Sequence, residues 1–122
     1  MTMETNPKAC EIATLLEGYR FSWVNEGDLQ TNIAVILAGR FDYEREVALN
    51  ARDRGDFMVG RIGIECKVAH SATQVIRQLA RYIESPLVDE IILVTTRHSH
   101  QTIPTEMGGK SIHVVYLLSS LL

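Results

Sequence analysis

The stretch Arg54–Val68, RGDFMVGRIGIECKV, limits what this chain can become more than any other. Each half alternates apolar with polar residues, and Gly60 and Gly63 lie between the halves where a tight reversal belongs, so the stretch reads as a β-hairpin. With Arg61 and Ile62 as the turn, Val59 falls opposite Ile64, Phe57 opposite Cys66 and Asp56 opposite Lys67. Side chains alternate across a strand, so Phe57, Val59, Ile64, Cys66 and Val68 share one face and Asp56, Met58, Glu65 and Lys67 the other. The first face is a core. The second gathers two carboxylates and an ammonium, with Asp56 diagonal to Glu65 at roughly 7–8 Å between backbones, a gap that one metal ion can bridge through the side chains.

Around the hairpin the periodicity alternates between helix and strand. Thr5 or Asn6 as cap, Pro7 in the first turn, Ala9, Ile12, Ala13 and Leu16 at helical spacing, and Gly18 as a stop predict a short amphipathic helix. A second helix is expected from Asn25 to Ala38, with Leu29, Ile33, Ile36 and Leu37 as its buried stripe and Gly39 at its end. Phe41 to Leu49 alternates as a strand, broken only by Arg45. After the hairpin, Ser71 or Thr73 caps a helix reaching about Ser85, with Val75, Ile76, Leu79 and Ile83 inward and Arg77 and Arg81 on its other side. Glu90–Thr96 lacks alternation and suits a strand covered on both faces. Arg97–Lys110, with Pro104 and the Gly108-Gly109 pair, reads as a mobile loop, and Ile112–Leu118 as the last strand. A helix between the hairpin and the next strand is the setting for a crossover, so the expectation is an α/β fold. Its mixed central sheet has about five strands with helices on both faces.

The 122 residues suit one domain, 1–122, with a real core. No apolar run is long enough to cross a bilayer, and Glu4, Lys8 and Glu11 interrupt what a signal peptide would keep apolar. A cytoplasmic protein is expected, with Cys10 and Cys66 reduced and structural. The net charge of −3 argues against coating nucleic acid through bulk charge, while leaving room for a local basic patch. His98-x-His100 and His113 have no cysteine or acid at zinc spacing and read as solvated. No glycine loop of the phosphate-cradling type and no Gly-x-Ser-x-Gly elbow occurs.

Asp56, eight intervening residues, Glu65, one residue and Lys67, on a hairpin that follows a helix and a strand, resemble the active site of the PD-(D/E)xK, or restriction-endonuclease-like, nucleases. The resemblance runs from about Glu26 to the last strand, because the family shares the order helix, three-stranded meander, helix, strand. Glu26-x-x-Leu29-Gln30-x-x-Ile33 is similar to the opening helix of the virus-type replication-repair branch, where a helix acid completes the metal site. A helix acid is equally explained by the positive N-terminal end of its helix. Gln78-Leu-Ala-Arg-Tyr82 looks like the Q-x-x-x-Y signature of RecB-type exonucleases. The family's usual Pro before the first Asp is Gly55 here.

The resemblance implies a metal-dependent nuclease acting on DNA. Asp56 and Glu65 are hard oxygen ligands for Mg²⁺ or Mn²⁺, joined by the carbonyl of Cys66 and by Glu26. Glu46 rivals Glu26 as the third acid, although a solvated strand face explains Asp42, Glu44 and Glu46 together. Lys67 orients or deprotonates the attacking water, or stabilises phosphate oxygens. Gln78, Tyr82, Arg77 and Arg81 are the candidate DNA contacts; a core tyrosine and solubilising arginines are the plainer alternatives. No organic cofactor or membrane is implied. The small size suggests a homodimer, as in structure-selective enzymes of the Holliday-junction-resolvase kind. A nuclease fold kept as a non-catalytic binding module or subunit is the other reading.

Overall fold

The computed structural model describes residues 8–117. Two helices lead, α1 (Ala9–Glu17) and α2 (Glu26–Ala38), followed by strands β1 (Glu44–Ala48), β2 (Arg54–Val59) and β3 (Ile62–Lys67). Helix α3 (Ala72–Ile83) crosses over to β4 (Glu90–Thr95), and a 3-10 turn (His98–Thr102) leads to β5 (Glu106–Met107) and β6 (Lys110–Tyr116). The strands form one mixed sheet in the order β1-β2-β3-β4-β6-β5. The β3–β4 and β4–β6 pairs are parallel and the others antiparallel. The fold is α/β, as the alternating periodicities imply, with six strands among the described residues where about five were expected.

Each face of the sheet carries its own apolar layer. Ala9, Ile12, Ala13 and Leu16 of α1 and Leu29, Ile33 and Leu37 of α2 pack with Phe57, Val59, Ile64, Cys66, Ile92 and Val94. On the opposite face Val75, Leu79, Tyr82 and Ile83 of α3 pack with Met58, Ile91, Leu93 and Ile112. Strand β4 therefore feeds both layers alternately, which is why Glu90–Thr95 shows no polar alternation. Asn25 caps α2 by accepting from the Asp28 N–H, and Ser71 with Gln74 forms a capping box at α3. Helix α1 begins after Lys8, which makes no side-chain cap, while the Thr5, Asn6 and Pro7 signals lie outside the described residues, as does the chain beyond Leu117. Arg45, the break in the β1 pattern, holds its guanidinium 5.1 Å from the Phe57 ring centroid, covering the ring as an apolar side chain would.

The hairpin register differs from the expected one. Phe57 pairs with Ile64 and Val59 with Ile62, so the turn is Gly60-Arg61 rather than Arg61-Ile62. Gly60 takes φ 59°, the left-handed conformation a two-residue turn needs at its first position, which costs glycine least. Gly63 instead lies in β3 beneath Met58 and Val88. Because the slip is of two residues, from Phe57–Cys66 to Phe57–Ile64, every side chain keeps its face. Asp56 faces Glu65 in this register, not Lys67.

The segment Arg97–Lys110 is not a free loop. Gly108 and Gly109, at φ 58° and 78°, make the reversal of a short hairpin that adds β5 to the sheet. Lys110 Nζ donates to the carbonyls of Ile83, Ser85 and Val88, closing the C-terminal end of α3. A Cβ on Gly108 would lie 2.9 Å from Ile83 Cγ2, whereas one on Gly109 meets nothing within 4 Å. Gly108→Ala is thus expected to lower stability by about 2–4 kcal/mol, and Gly109→Ala by about 1 kcal/mol of backbone strain alone, in urea unfolding. Equal losses would refute the contact with Ile83.

Candidate metal and nucleic-acid site

Strands β2 and β3 stop pairing at Phe57–Ile64, and the next residues toward the open end complete the ladder with side chains. Asp56 Oδ2 accepts from the Cys66 N–H at 2.8 Å, and Glu65 Oε1 accepts from the Asp56 N–H at 3.3 Å. The two acids are clasped where the strands part. Glu65 Oε2 accepts from the Tyr82 hydroxyl at 2.6 Å and lies 3.7 Å from Lys67 Nζ. All this happens under α3: Glu65 is 2% and Lys67 7% exposed, and Asp56 is half-buried.

Burial, and then the neighbouring Asp56 charge, push the Glu65 carboxyl up to about 8, with Lys67 opposing the rise. The raised value favours the protonated form of Glu65 at neutral pH. Burial and the Glu65 charge push the Tyr82 hydroxyl upward, so it remains a donor. Gln78 Nε2 donates to that hydroxyl at 2.8 Å, and the Arg54 carbonyl lies 2.9 Å from it. The Cys66 thiol points into the other layer, where burial raises it well above its ordinary value, so the thiol is not a ligand.

Other expected site residues stand apart. Glu26 opens α2, whose apolar side packs on the opposite face of the sheet, and its charge acts on the Cys66 thiol. Glu46 is exposed on the edge strand at φ 52°, its carbonyl accepting from Arg54. Among the described residues no three acids, histidines or cysteines converge on one point. Arg77 is exposed, but Arg81 is committed to a bidentate pair with Asp53, Nε to Oδ2 at 2.8 Å and Nη2 to Oδ1 at 2.9 Å.

Sequence reasoning missed Asp53 because its partner lies 28 residues away. Asn50 organises the β1–β2 turn by accepting from the Arg52 and Asp53 N–H groups and donating to the Asp53 carboxylate. Hydrogen bonding from Arg81, ahead of Asn50, holds Asp53 below its usual value despite burial. A depressed carboxylate contributes stability above its unfolded pKa and loses it as pH falls through the folded one, so this pair should fail below about pH 4. Asp53→Asn is expected to cost about 1–3 kcal/mol at pH 7 and to flatten that acid limb in urea unfolding. An unchanged limb would show that Asp53 is not its source.

The histidines divide. His98 is exposed, against the Tyr116 ring, and His113 lies 3.4 Å from Glu90, but His100 is fully buried, contrary to its reading as solvated. Its Nδ1 meets Thr95 Oγ1 at 2.6 Å and its Nε2 meets the His70 carbonyl at 2.8 Å. A carbonyl only accepts, so the proton sits on Nε2, and the ring ties the loop after β3 to the end of β4. Cys10, expected to be structural, is exposed.

Compared with protein-family models, curated proteins and solved structures, the chain matches none. Its own donor set is therefore the guide to a metal. Asp56 and Glu65 are two adjacent hard oxygen donors, Glu65 being pushed toward its protonated form first by burial and then by Asp56, and a divalent cation replacing that proton would relieve the repulsion. Such a pair fits an ion that keeps several of its waters, as Mg²⁺ does, and is too few for a closed protein cage.

Proposed function

We propose that this chain is a metal-dependent nuclease that hydrolyses DNA phosphodiester bonds, on a restriction-endonuclease-like arrangement of strands. The observation that carries the reading is the adjacent Asp56–Glu65 carboxylate pair with Lys67 Nζ 3.7 Å from Glu65. Asp56 and Glu65 would hold Mg²⁺ or Mn²⁺, with the Cys66 carbonyl as a further ligand implied by the resemblance, whereas Glu26, which the resemblance also implies, stands apart from the pair. When bound, the cation lowers the pKa of a water and offsets charge on the phosphate oxygens. Lys67 supplies a cation beside the same carboxylate, to orient that water or bind a phosphate oxygen. Arg77, exposed on α3, is suited to contact the DNA backbone. A homodimer would give this small domain the surface that a branched substrate requires.

The test is a panel of linear, circular, flapped and four-way-junction DNA incubated with Mg²⁺ or Mn²⁺. Cleavage of at least one substrate is expected, and no cleavage of any would defeat the reading. One observation favours a second reading, a nuclease fold retained as a binding module: Glu65 and Lys67 are almost wholly covered, and the clasp satisfies both acids without an ion. Calorimetry with Mn²⁺ separates the two, because a decayed site shows no binding that Asp56→Asn abolishes.

A further inference from the structure

Tyr82 and Gln78 were expected to touch DNA, and their surroundings suit a different task. The Tyr82 ring is 2% exposed within the layer formed by Val75, Leu79 and Ile83, leaving no face on which a base could stack. Its hydroxyl reaches the sheet instead, 2.6 Å from Glu65 Oε2. Gln78, one helical turn earlier, places Nε2 2.8 Å from the same hydroxyl, so its amide is engaged inside the protein. A phenol has one proton to give. When that proton goes to Glu65 and Gln78 donates to the phenol oxygen, Glu65 is held at both oxygens, by the Asp56 N–H on Oε1 and by Tyr82 on Oε2.

We infer that Tyr82, braced by Gln78, is a positioning residue that fixes the Glu65 carboxylate for its cation, and that neither side chain binds the nucleic acid. A carboxylate pinned at both oxygens has one orientation, so its remaining lone pairs aim at one point beside Asp56. Partners that orient a ligand in this way alter metal affinity by about 10–100-fold when removed. The spacing of Gln78 and Tyr82 follows from the geometry: residues four apart share a helix face, and this face looks onto β3.

The inference rests on the proposed metal site, and one titration separates their failures. Mn²⁺ binding to the full chain is measured by calorimetry for the parent, Asp56→Asn, Tyr82→Phe and Gln78→Ala, with duplex DNA affinity measured for each variant in the Asp56→Asn background. Tyr82→Phe keeps the ring and removes only the hydroxyl; it is expected to weaken Mn²⁺ binding about 10-fold or more, to shift the ¹³C carboxyl resonance of Glu65, and to leave DNA affinity unchanged. Gln78→Ala should shift both in the same direction by less, and it carries the test alone should Tyr82→Phe not fold. Variants that bind Mn²⁺ as the parent does, while Asp56→Asn does not, overturn the inference and leave the metal site standing. A loss of DNA affinity with Mn²⁺ affinity unchanged also overturns it, assigning these residues to the nucleic acid. A parent that binds no Mn²⁺ overturns the metal site and the inference together.

Discussion

Lys67→Ala is expected to reduce DNA cleavage by about 10²–10⁴-fold, and Asp56→Asn by at least as much, measured as single-turnover rates with saturating Mg²⁺ on whichever substrate of the panel the parent cuts. The two losses should differ in kind. In the proposed site Asp56 would contribute a carboxylate to the cation, so its loss should abolish Mn²⁺ binding. Lys67 contributes a positive charge 3.7 Å from Glu65 Oε2, so Lys67→Ala should retain Mn²⁺ binding while losing the rate. Lys67 is 7% exposed, and removing its side chain also leaves a cavity beside β4, so thermal unfolding of each variant must accompany the rates. Lys67→Met keeps most of the volume and should be as slow as Lys67→Ala. Variants that cut as well as the parent would end the nuclease reading.

The stability of the metal-free protein should fall as the pH rises from about 4 to about 8, opposite in sense to the Asp53 limb. Glu65 in the folded chain is pushed up to about 8 by burial and by Asp56, whereas an unfolded glutamate titrates near 4.3. Between those values the folded state holds a proton that the unfolded state releases, so unfolding becomes easier with each step upward, by a few kcal/mol in all. Above about 8 both states are ionised and the curve levels. The groups facing Glu65 are Asp56 across the hairpin, Lys67 on its own strand and Tyr82 on α3. Glu65→Gln keeps a carbonyl oxygen for the Asp56 N–H and sets its amide N–H against the Tyr82 oxygen, whose own proton can go to the Arg54 carbonyl, and it should abolish the slope in urea unfolding. In the proposed site Mn²⁺ would take the place of the same proton, so its apparent affinity should rise over this range and its addition should stabilise the protein more at pH 8 than at pH 5. A parent as steady as Glu65→Gln across the range would mean that Glu65 ionises normally.

Gly108→Ala and Asp53→Asn test features that no local pattern announced. Both depend on contacts between elements far apart in the chain: Gly108 against Ile83 of α3, and Asp53 of the β1–β2 turn against Arg81. Helices α2 and α3 were legible because their signals are local: Asn25 and Ser71 as caps, Leu29, Ile33 and Leu37 or Val75, Leu79 and Ile83 at a period near 3.6. The β5 strand was not, because two residues are too short for a period.

For the candidate site the division is sharper. Alternation along Arg54–Val68 determined by itself that Asp56, Glu65 and Lys67 share a face, because a strand's side-chain period is two and a two-residue slip of register preserves it. The choice between Asp56–Lys67 and Asp56–Glu65 as the facing pair lay with the turn, where Gly60 rather than Arg61 opens the reversal. Only the tertiary structure decided what lies over that face. Helix α3 brings the Tyr82 hydroxyl onto Glu65 and engages Arg81 with Asp53, while α2, which opens with Glu26, packs its apolar side on the other face of the sheet. Periodicity records which side of an element is apolar, but not which neighbour will cover it, because that depends on the packing of elements distant in the chain.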